Sequence, residues 1–84
     1  MNSRHRTTLA SVFRQPLPRA LEWADIEALL LAAGCRVVEG AGSRVRFEKD
    51  GHVAIFHRPH PEKEAKRYQV RAARDFLELI GIRP

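Results

Sequence analysis

The chain has a single cysteine, Cys35, among 84 residues, so no disulfide can form within it. It also lacks any apolar run near the roughly 18 residues that a membrane span requires. Its basic N-terminus has no apolar stretch ahead of Pro16 and Pro18, which does not read as a signal peptide. Acids are missing from residues 1–19, where Arg4, Arg6, Arg14 and Arg19 stand without Asp or Glu. His52, His57 and His60 come without the cysteine or acidic spacing of a metal site, so neither metal nor other cofactor is expected. Together these absences point to a cytoplasmic protein with no membrane partner. The length suits one small domain, which buries about 60–65% of its unfolded surface.

What is present is positive charge, and its placement matters more than the net +5. Residues 44–74 hold nine basic side chains against four acids, whereas residues 20–43 are acidic on balance. Twelve of the fifteen cations are arginine, whose planar fork suits phosphate. An anionic partner is expected, RNA or DNA ahead of a membrane surface, because no strongly basic amphipathic helix occurs. A basic surface that is merely solvated is the plain alternative.

The organising stretch runs from Gly42 to Pro61. Two alternating segments flank Asp50-Gly51, a pair that favours a two-residue turn with positive φ at both positions. Lys49 then pairs with His52, and the ladder continues through Phe47/Ala54 and Val45/Phe56 to Arg44/His57. Side chains alternate along a strand, so Val45, Phe47, Ala54 and Phe56 share the core side. Arg44, Arg46, Glu48, Val53, Ile55 and His57 share the other. A slip of one residue would bury the arginines, so the register is strongly specified.

Around the hairpin, Ile26, Leu29, Leu30 and Ala33 mark a helix from about Trp23 to Ala33, ended by Gly34. Asp25, Glu27 and Ala28 are expected to face away from its stripe. Cys35 to Glu39 predicts a short strand. Glu62 to Arg67 is a polar connection that can begin the last helix, whose stripe runs from Tyr68 to Ile80 with Val70, Ala73, Phe76, Leu77 and Ile80 inward and Gly81 beyond it. Leu9, Val12 and Phe13 predict a helix of about two turns, capped by Thr7 or Thr8 and docked as an arm outside the central core. The expected architecture is α+β. A three-stranded antiparallel sheet carries two helices on one face, and residues 1–20 form an arm before a domain spanning 21–84.

From about Trp23 to Ile82 the chain resembles the HicA toxins of bacterial toxin–antitoxin pairs. The likeness rests on the helix ending at Gly34, Gly42-Ser43 opening a strand, His60-Pro61 after the hairpin, and the last helix ending Phe76-Leu77-Glu78-Leu79-Ile80-Gly81-Ile82. The resemblance implies a fold like double-stranded-RNA-binding domains, α-β-β-β-α, used by an endoribonuclease that cleaves mRNA. It also implies a HicB-type antitoxin as protein partner. Family members place a catalytic histidine just after the Gly-Ser, but here Arg44-Val45 follows. Counting puts Val45 in the histidine position, and the hairpin phase makes Arg44 its outward counterpart.

RNA cleavage without a metal needs a base for the ribose 2′-OH, an acid for the leaving 5′ oxygen, and cations at the phosphate. His57, facing Arg44, is the candidate histidine relocated to the neighbouring strand. His60, between two prolines, is the second, and Arg44 the catalytic cation. Arg44, Arg46 and Arg58 are candidate RNA contacts, with Lys66, Arg67 and Arg71 as an outer rim. A noncatalytic RNA-binding or antitoxin-binding module of the same fold is the rival expectation.

Overall fold

A computed structural model describes residues 1–84. Its elements are α1 (Ser3–Val12), α2 (Trp23–Ala32), β1 (Arg36–Glu39), β2 (Arg44–Lys49), β3 (His52–His57) and α3 (Arg67–Leu79). The three strands form one antiparallel sheet in the order β1-β2-β3. Asp50 at φ 50° and Gly51 at φ 82° make the turn, as their tolerance of the left-handed region predicts. Pairing from Lys49 with His52 to Arg44 with His57 is the register expected from the alternation.

That register decides which rings reach the core. Val45 and Phe47 are fully buried and Phe56 nearly so. The Trp23 ring from α2 sits 5.0 Å from Phe56 and 6.4 Å from Phe47, with Phe47 edge-on to Phe56 at 6.0 Å. Such tilted contacts suit the quadrupoles of aromatic rings. Ile26, Leu29 and Leu30 of α2, with Val70, Ala73, Phe76 and Leu77 of α3, fill the space between the helices and this sheet face. Both helices therefore cover the side opposite Arg44 and Arg46.

Two expectations need correction. The N-terminal helix is ten residues long and begins at an Asn2 cap, whose side chain accepts from the His5 N–H at 2.9 Å. Thr7 and Thr8 do not cap it. Their hydroxyls donate back to the Ser3 and Arg4 carbonyls, as such residues do inside helices. Instead of docking outside the core, α1 sends Leu9 and Val12 into it, followed by Leu17. Arg4 also donates to Asp25 of α2, at 3.0 and 3.1 Å.

The second correction concerns the connection after β3. Residues 59–66 do not begin a helix. The Trp23 N–H donates to the Lys63 carbonyl at 2.9 Å and the Ala65 N–H to the Leu21 carbonyl at 2.8 Å, tying the segment beside the start of α2. Helix α3 starts at Arg67, one residue ahead of the Tyr68 stripe, and there the Gln69 side chain accepts from the Lys66 N–H at 2.9 Å.

Phe47→Ala should cost about 3–5 kcal/mol, because a fully buried ring leaves a cavity among Trp23, Phe56 and the aliphatic floor. Domains of this size hold roughly 0.05–0.15 kcal/mol per residue, so urea denaturation should show loss of a large share of the total stability.

Candidate functional site

The uncovered sheet face carries Arg44 and Arg46 from β2 and Val53, Ile55 and His57 from β3. Glu48 lies between Arg36 and Arg46, each at 2.6 Å, and these guanidinium groups hold its carboxyl below the usual range, Arg36 contributing most. Arg46 is thus partly neutralised. Arg44 makes no ion pair and remains free for a phosphate.

His57 ends β3 opposite Arg44, exposed, with its Nδ1 3.5 Å from the Ser43 hydroxyl. Beyond it the chain turns, and His57, His60, Glu62, Lys66, Tyr68 and Gln69 line one cleft of about 190 Å³ with Arg58 and Pro59. The two candidate histidines therefore share a cleft with the ammonium of Lys66. Arg44 and Arg46 line a separate cleft of about 220 Å³ near Gly40. Arg67 and Arg71 are exposed one turn apart on α3 and line neither cleft.

Arg58 is not the free phosphate contact that was expected. Its Nε and Nη2 donate to the two oxygens of Glu27, both at 2.9 Å, and its Nη1 and Nη2 donate to those of Glu39 at 2.6 and 2.9 Å. Two carboxylates gripped by one planar fork occupy four of its five N–H donors. The alternation that turns His57 outward turns Arg58 inward, toward α2. Glu27, expected to face away, is half-buried because it accepts from Arg58 and from the Trp23 indole at 2.9 Å. The Arg58 guanidinium holds the Glu27 carboxyl below its usual range against the opposing effect of burial.

Ser43 enters the sequence only as part of the Gly42-Ser43 motif, and Tyr68 and Gln69 carry no expected chemistry. Gln69 is only 2% exposed, and its amide donates to the His57 carbonyl at 2.8 Å while accepting from the Lys66 N–H. One buried side chain thus ties β3 to the start of α3 and holds two cleft residues together. A polar residue four before Ala73 on the apolar stripe was the available signal. Tyr68, 61% exposed at the cleft, had the signal of a ring at a helix start outside the stripe. The counted histidine position holds Val45, which has no exposure at all.

The family described as HicA toxin of bacterial toxin-antitoxin matches residues 23–82, more than half of the chain. The chain belongs to the HicA toxin family. Nothing matches it among curated proteins or solved structures. The HicA span takes in α2, the sheet and α3, an α+β unit with the α-β-β-β-α order of a double-stranded-RNA-binding-like fold. It also contains every residue of the histidine cleft. In this HicA chain α1 precedes the family span and completes the core from outside it.

Two outcomes test these contacts. Gln69→Leu strands the His57 carbonyl and the Lys66 N–H, and should cost about 1–3 kcal/mol in urea denaturation. For Glu27 the folded carboxyl binds its proton more weakly than the unfolded one. The stability it contributes is present above the ordinary glutamate value of about 4.3 and is lost as pH falls through the lower folded value. Glu27→Gln should therefore destabilise by about 1 kcal/mol at pH 7, after solvent screening, and by much less at pH 3. Urea midpoints at the two pH values measure the difference.

Proposed function

We propose that the protein is a HicA-type toxin that cleaves mRNA in the cytoplasm by acid and base chemistry in the His57–His60 cleft. The observation that carries this reading is that His57, His60 and Lys66 line one cleft at the end of an arginine-bearing sheet face. Histidine can both take and give a proton near neutral pH. One imidazole removes the ribose 2′-OH proton as that oxygen bonds to phosphorus. The protonated partner gives its proton to the 5′ oxygen as the P–O5′ bond breaks. A cyclic 2′,3′-phosphate and a 5′-hydroxyl result, with atoms and charge in balance.

Lys66 neutralises the non-bridging oxygens of the crowded phosphate, a charge that grows in the transition state. Arg44 and Arg46 hold phosphates along the strand, and Arg44 shields the reacting one because it pairs across from His57. Arg67 and Arg71 attract the RNA from outside the cleft. A HicB-type antitoxin neutralises the toxin by covering this face. Val53 and Ile55 support that role, since they expose 51% and 48% of their surface beside the arginines, where a partner gains by burying them.

Purified protein with RNA in EDTA should yield cyclic phosphate ends, and His57→Gln and His60→Gln should each lower kcat by about 10²–10⁴ while leaving RNA affinity within a few-fold. Full cleavage by His57→Gln would remove the proposal. The rival, a noncatalytic RNA-binding or antitoxin-binding module, is favoured by the burial of Val45 where the family histidine is counted. RNA binding without any cleavage would establish it.

A further inference from the structure

A second cleft, about 520 Å³, adjoins the histidine cleft and shares His60, Pro59, Arg58 and Glu62 with it. Its remaining lining comes from Glu22, Trp23 and Ala24 at the start of α2 and from Pro61 and Lys63. The volume lies within the ~300–1,000 Å³ of ordinary small-ligand sites. Its charge is unlike that of the arginine-bearing sheet face. Arg58 is taken up by Glu27 and Glu39, while Glu22 and Glu62 are exposed and have no ion-pair partner. One ammonium, Lys63, stands against these two carboxylates, so a phosphate is not the natural occupant.

We propose that this cleft receives a nucleobase flanking the scissile phosphate, and that Glu22 and Glu62 select a base bearing an exocyclic amino group. The inference rests on the nuclease reading for the word scissile, and otherwise on the cleft alone. Pro59 and Pro61 offer apolar ring faces against which a flat base can lie. A carboxylate has only acceptors, so it takes the amino and imino hydrogens of guanine, or the amino hydrogens of adenine and cytosine. Uracil presents one N–H between two carbonyl oxygens, and those oxygens meet the carboxylates with like charge. His60, common to both clefts, puts the base within one nucleotide of the reacting phosphate. A base held this way is unstacked, so the substrate is single-stranded at that point.

The test uses single-stranded RNAs identical except for the nucleotides on either side of the mapped cleavage site. Wild-type protein should favour guanine, adenine or cytosine over uracil by about tenfold in kcat/KM at one flanking position. In the Glu22→Gln, Glu62→Gln double variant that ratio should fall toward one. Both side chains are exposed and unbonded, and circular dichroism melting checks the fold. Should the double variant not fold, Glu62→Gln in the loop replaces it. Uracil cleaved as well as the others by wild type, or an unchanged ratio in the variant, overturns the proposal. If no RNA is cleaved, the nuclease reading fails by itself and the same series is scored by fluorescence anisotropy. Base-dependent affinity that the variant loses then upholds the cleft, and base-independent binding or none at all overturns it.

Discussion

The antiparallel pairing of β2 with β3 is the constraint on which the rest of the molecule depends. Because successive side chains on a strand point to opposite faces, one register sorts the whole hairpin at once. Val45, Phe47 and Phe56 go to the core, and Arg44, Arg46 and His57 go to the open face. The Asp50-Gly51 turn holds that register because both residues accept positive φ. Moving the pairing by one position would put guanidinium groups against Trp23, at a desolvation cost no other contact offsets.

The same alternation separates arginines that composition alone treats as equals. Arg44 is unpaired on the open face, while Arg58, past the end of β3, faces the other way and closes on Glu27 and Glu39. Three acids that dilute the net charge, Glu27, Glu39 and Glu48, each hold at least one arginine. The basic surface left for an anion is smaller than the count of cations implies. Of the candidate contacts, Arg44, Lys66, Arg67 and Arg71 make no ion pair.

The connection from Pro59 to Lys66 shapes the candidate site without belonging to a helix or strand. Backbone hydrogen bonds at Lys63 and Ala65 tie it to the start of α2, and the buried Gln69 amide links Lys66 at its end to His57, the last residue of β3. His60 and Glu62 line two clefts at once, one shared with His57 and Lys66 and the other with Glu22 and Lys63. A segment held by its backbone leaves its side chains free for a ligand, a common property of functional loops on a rigid scaffold.

Local rules determined a good deal from the sequence alone. Periodicity predicted the two main helices, and turn chemistry with alternation predicted the hairpin, its register and the face that bears Arg44 and His57. These succeed because each depends on neighbours within a few residues. Tertiary structure alone decided that Leu9 and Val12 of α1 enter the core, that Arg58 meets two carboxylates distant in the chain, and that His60 and Lys66 join His57. Those outcomes depend on which surfaces meet after the helices pack, and spacing along the chain carries no record of that.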